Sequence, residues 1–160
     1  MTMLGWFHTI MGVLALLLAI AAIRRYRFIR STDREGAAYL VVTVVVAGSA
    51  LGIYIHGGFG IAHYLAVLTL VAALGGFVIE RLNLFGRFSV YFQAIAYSET
   101  IPFHIIPAIT DFLRRLPVGD PFIDSFDSPL LKGFHLAFAA FYVLGIAAQI
   151  LKLRRRAAGL

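Results

Sequence analysis

Five histidines and one isolated glutamate are the residues of this sequence whose chemistry goes beyond packing: His8, His56, His63, His104, His135 and Glu99. Two facing imidazoles supply both axial ligands of a b-type haem, and three, with or without a carboxylate, suit zinc, copper or iron. The stretch "YSETIPFH" sets Tyr97, Ser98, Glu99, Thr100 and His104 close together, and Pro102 frees a backbone carbonyl one turn earlier, near Ser98. With no cysteine in the chain, thiolate metal sites, iron-sulfur clusters and disulfides are excluded. No HxxxH, CxxCH or HExxH spacing occurs. A joint site therefore depends on the elements that carry these residues.

Those elements belong to a membrane. The chain has 160 residues, of which 61% are hydrophobic and only 14% charged, with a mean hydropathy of +0.88; a soluble domain has about a quarter charged. Its apolar runs are continuous and do not alternate, which predicts helices rather than a spanning barrel. Five runs match the length of about 20 residues that a spanning helix needs: residues 3–23, 37–56, 60–79, 88–110 and 129–151. The expectation is an all-α integral membrane bundle, one domain over residues 1–160, with a cap at 111–128.

Charge gives that bundle an orientation. Arg24, Arg25, Arg27, Arg30 and Arg34 follow the first run, Arg81 and Arg87 lie between the third and fourth, and Lys152, Arg154, Arg155 and Arg156 follow the fifth. The positive-inside rule puts this side in the cytoplasm, hence the N-terminus outside and the C-terminus inside. Because the net charge of +6 is gathered beside apolar runs, it reads as topology and lipid contact, with no nucleic-acid partner expected. The first run carries its charges behind it, the reverse of a secretory signal, and is expected to stay in the mature protein.

On this topology all five histidines fall on the outer side. His63, His104 and His135 share a depth of about 5–10 Å below the outer boundary, from the helical rise of 1.5 Å per residue. His135, Tyr142 and Gln149 recur every seven residues, as do Tyr97, His104 and Asp111; such polar stripes are expected to face the bundle interior. Glu99 falls near the bilayer centre, where a carboxylate is a functional candidate by default, although a protonated, hydrogen-bonded carboxyl is an equally simple use of it. Gly12, Ala15, Ala19, Gly48 and Gly52 read as close-packing faces. Asp120, Asp124 and Asp127 serve either as loop solvation and caps or as a cation site. Asp120-Pro121 and Ser128-Pro129 both have the form of an N-cap followed by proline at the first helical position.

The chain resembles an uncharacterised family of small bacterial multi-spanning membrane proteins, a domain of unknown function. The likeness is carried by an apolar first helix followed by arginines, by "REGAAYL", and by "GGFGIAHYLAVLTLVAALGG", in which Gly57, Gly58, Phe59, Gly60 and His63 match a Gly-Gly-Phe-Gly, spacer, His arrangement. Relatives often carry a histidine in the loop before the second span, where this chain has Asp33-Arg34-Glu35. The resemblance covers the first half and implies the multi-spanning fold and a bacterial inner membrane; it brings no activity.

Three uses of these residues remain open. The leading expectation is a haem b or transition-metal site (zinc, copper or iron) on His63, His104 and His135, with Glu99 as a further metal ligand and Glu99 or Tyr97 moving a coupled proton, serving electron transfer in a membrane redox complex. The second is a non-catalytic accessory subunit of a larger membrane assembly or a homo-oligomer, its histidines only hydrogen-bonding or holding a pigment of the assembly. The third is a small proton-coupled transporter that uses Glu99.

Overall fold

The computed structural model describes residues 2–53 and 58–159. Its elements are α1 (Met3–Tyr26), α2 (Arg34–Ala50), α3 (Ile61–Leu82), a short 3-10 turn (Gly86–Phe88), α4 (Ser89–Arg115) and α5 (Pro129–Ala157), with no β-strand among the described residues. By length and composition, α1, α3 and α5 can each cross a membrane. The helix α2 has 17 residues, about 25 Å at the helical rise, and is followed by a tight turn in which Gly52 and Ile53 donate to Ser49 and Ala50. It ends at Ala50, and residues 54–57, including His56 and the first glycine of the "GGFG" turn, lie outside the described residues.

Local chemistry sets the helix ends. Thr2 Oγ1 accepts from the Gly5 N–H at 3.1 Å to start α1, and Arg27, left-handed at φ 71°, stops it by donating its N–H to the Ile23 carbonyl. Gly60 opens α3, where His63 Nδ1 accepts the Gly60 N–H at 3.0 Å while the His63 N–H returns to the Gly60 carbonyl at 2.9 Å. Asn83, left-handed at φ 49°, closes it. Pro129 sits at the first position of α5, following Ser128.

Two boundaries differ from those read in the sequence. The helix α4 runs unbroken through Pro102 and Pro107 to Arg115, five residues beyond the expected end, because neighbouring helices and hydroxyls accommodate proline in apolar surroundings; Asp111 and Arg115 pair at 2.9 Å on its last turn. The cap is therefore residues 116–128, and it is not helical. Asp120-Pro121 starts no helix: the Asp120 N–H instead closes a turn onto the Pro117 carbonyl. The loop is pinned by Ile123, which is buried with Leu113 and Leu131 and donates its N–H to the Leu113 carbonyl.

Successive helices run antiparallel, and the arginine-rich ends gather together. Phe28 after α1 is buried with Ala94 near the start of α4 and Leu153 near the end of α5, and the Arg156 guanidinium lies 5.1 Å over the Phe28 ring. At the same end, Glu80 of α3 meets the Ser31 backbone before α2. The pairs α1 and α2, α2 and α3, α3 and α4, and α4 and α5 are neighbours, and α4 also touches α1. Ala15, Ala19 and Ala22 of α1 are buried with Tyr39, Leu40 and Tyr97, so small side chains admit the aromatic ones. At Gly12 and Gly48 an added Cβ would meet nothing within 4 Å; the close-packed face of α1 is thus the alanine row. The outermost helix is α5, with only 6% of its apolar stretch buried.

Gly36 is the tightest contact. A Cβ there would fall 2.2 Å from the Arg30 carbonyl oxygen and 2.9 Å from its nitrogen, both backbone atoms that cannot turn aside. Gly36→Ala is expected to cost about 3 kcal/mol, seen as a lower detergent-denaturation midpoint with helix content unchanged before the transition. Nearby, Glu35 accepts from the Tyr26 hydroxyl and from Arg25, each at 2.8 Å. The Tyr26 bond, followed by Glu35's own backbone N–H and by Arg25, holds the Glu35 carboxyl below its ordinary value of 4.5. The folded form thus binds this proton less readily than the unfolded form, and the clasp stabilises above that ordinary value and is lost as pH falls through the lower, folded one. Thermal stability of Glu35→Gln is expected to lose the part of the acid-side decline that this carboxylate contributes, measured between pH 5 and pH 3.

Candidate functional site

The polar side chains of the bundle converge on α4, which presents two polar faces. Tyr97, Thr100 and His104, at i, i+3 and i+7, lie on one face and are all buried. The Tyr97 hydroxyl donates to Glu80 Oε2 at 2.7 Å. Glu80 also accepts the Ser31 N–H, at 3.0 and 3.2 Å to its two oxygens. Space for the Tyr97 ring comes from α3: a Cβ at Gly76 would lie 2.7 Å from Tyr97 Cε1. Gly76 and Glu80 are one turn apart, so the glycine clears the ring and the glutamate receives its hydroxyl.

Above this pair the bonds acquire a direction. Thr100 Oγ1 donates to the Tyr97 carbonyl at 2.6 Å, which uses the only proton it has; the Tyr39 hydroxyl, 2.5 Å from the same oxygen, must then be the donor to Thr100. His104 Nε2 lies 3.2 Å from Thr43 Oγ1, which ties α4 to α2. The directed part of the column reads Tyr39 to Thr100 to the Tyr97 carbonyl. Further along, His8 Nδ1 lies 3.1 Å from the Val46 carbonyl and 3.0 Å from Ser49 Oγ.

The other face of α4 meets α5. Thr110 Oγ1 lies 3.3 Å from His135 Nε2, Ser98 Oγ donates to Gln149 Oε1 at 3.1 Å, and Glu99 bonds Tyr142. The heptad row of His135, Tyr142 and Gln149 is thus the seam that docks α5. Asp111, the third member of the Tyr97 stripe, is exposed at the helix end and pairs with Arg115.

The expected site residues are accordingly distributed. His63 caps its own helix with the Phe59 ring stacked 4.9 Å away; His104 bonds α2, and His135 bonds α4. Glu99 and Tyr97 point to opposite sides of α4, toward Tyr142 and Glu80. Among the described residues, no group of three His, Asp or Glu side chains is arranged to hold a metal ion. Of two clefts, one of about 180 Å³ between α4 and α5 beside α1 and one of about 350 Å³ between α2 and α3, neither is lined by a histidine. Asp127 is taken by Lys132 at 3.1 Å.

Glu80 was missed from sequence because the third apolar run was ended at residue 79. The available signal was helical spacing, since Gly76 and Glu80 share a face. Gly76→Ala should displace the Tyr97 ring and cost about 1–3 kcal/mol. In a Tyr97→Ala background the same substitution should cost little, a non-additivity that a double-mutant cycle of unfolding midpoints reads directly. No family model, no curated protein and no solved structure matches this chain.

Proposed function

We propose that this protein is a non-catalytic helical subunit of a larger membrane assembly, in which all five helices cross the bilayer, the arginine-rich end faces the cytoplasm and the membrane is a bacterial inner membrane. The observation that carries the reading is the outer side of α5. His135, Tyr142 and Gln149 turn toward α4, and on the opposite face, at 3.6 residues per turn, Gly133, Ala137, Ala140 and Ala147 lie exposed beside Leu144 and Leu151. A row of small residues lets a second helix approach closely within lipid, where dispersion and interhelical contacts replace the hydrophobic effect. The described histidines support it too, since each is engaged in a hydrogen bond that ties helices together or caps one.

Lipid tolerates extra apolar bulk and a packed helix does not, so Ala140→Phe discriminates. In native gels of mildly solubilised membranes from its own host, the wild-type chain is expected in a discrete complex larger than a monomer, and Ala140→Phe should release it as a folded monomer. Unchanged migration of the variant would sink the reading.

The haem or metal expectation has its own readout. On the present proposal the purified chain has no Soret band and no stoichiometric iron, copper or zinc. A Soret band, or bound metal, that disappears in His63→Ala, His104→Ala or His135→Ala would replace the subunit reading with the redox one.

A further inference from the structure

Between α4 and α5, beside Ile23 of α1, the cleft of about 180 Å³ is open along one flank and combines apolar walls with the hydrogen-bonding groups of Ser98 and Gln149. A cavity of roughly 150 Å³ admits a benzene ring, so this one holds a single substituted ring. Phe138 and Tyr142 form aromatic walls. Gly145 leaves the floor open, since a Cβ there would meet nothing within 4 Å.

The polar groups are arranged for a guest. Ser98 takes the Gln149 carbonyl oxygen, which leaves the two N–H donors of the Gln149 amide for another acceptor. Pro102 has no N–H to give the Ser98 carbonyl one turn before it, so an acceptor lies on the same wall. Donors and acceptors thus flank a slot one ring wide, reached from the hydrocarbon rather than from water, because α5 is scarcely buried.

We propose that this cleft binds the headgroup of a lipid-borne benzoquinone or its quinol, one ring oxygen accepting from the Gln149 amide in either form and, in the quinol, the opposite hydroxyl donating to the Ser98 carbonyl. A phospholipid chain needs no such donors, and a water-soluble ligand has no entry through the bilayer. The site stands independently of the outer face of α5, so the assembly reading and this one fail separately.

The test is binding of decylubiquinone to the purified full chain in detergent, followed by calorimetry, with helix content and elution volume as checks on folding. Saturable one-to-one binding is expected. Gly145→Leu, which fills open space and breaks no bond, should abolish it. Gln149→Leu should weaken it about three- to tenfold, the worth of one or two neutral hydrogen bonds, while Ala140→Phe on the opposite face leaves it unchanged. Non-saturable uptake, competition by an equal concentration of phospholipid, or a folded Gly145→Leu that binds as the wild type does would each overturn the proposal.

Discussion

A polar side chain turned in between packed helices must find its partner on a neighbouring element, and α4 meets that constraint on both of its faces at once. Toward α1, α2 and α3 it turns Tyr97, Thr100 and His104; toward α5 it turns Ser98, Glu99 and Thr110. Each interhelical bond of this kind is worth about 0.6 kcal/mol on average in a membrane. Their larger effect is positional, since a helix with two polar faces has only one rotation that satisfies both. The alanine row of α1 and Gly76 of α3 are consequences of that rotation, being small where the rings of Tyr39 and Tyr97 must enter.

Much of this was legible in the sequence. The positions of the helices, the antiparallel order, the start of α5 at Pro129 and the inward heptad row on α5 all follow from runs of apolar residues, charge placement and spacing. What was not legible depends on partners distant in sequence. The Tyr97 and Glu99 side chains are two residues apart and were read as one cluster, yet 100° per residue puts them on opposing sides of α4, and only the neighbours of each side reveal their separate uses. His63 shares a depth with His104 and His135, but depth is one coordinate of three; its ring folds back onto the Gly60 N–H because α3 begins with a glycine, which has no side chain to cap it. Glu80 was lost to a boundary, and the non-helical cap to a proline signal that an Asp-Pro turn satisfies as well as a helix start.

The direction of the buried hydrogen bonds bears on what this interior does. The Tyr39 and Thr100 hydroxyls have one proton each, and each proton is committed toward the next acceptor, so the chain ends on the Tyr97 carbonyl. A backbone carbonyl accepts and cannot pass a proton on. The Tyr97 hydroxyl, which does reach Glu80, is at the far end of the ring from that carbonyl and belongs to a separate pair. Reversing the chain would require Thr100 to abandon its 2.6 Å bond to the Tyr97 carbonyl, a neutral hydrogen bond worth about 1 kcal/mol. An arrangement with one low-energy direction holds helices in a single register, which is what a subunit that others pack against requires. The polar groups with unspent capacity are on the other side of α4, at Gln149 and the Ser98 carbonyl, where Pro102 interrupts the ladder and α5 leaves a gap.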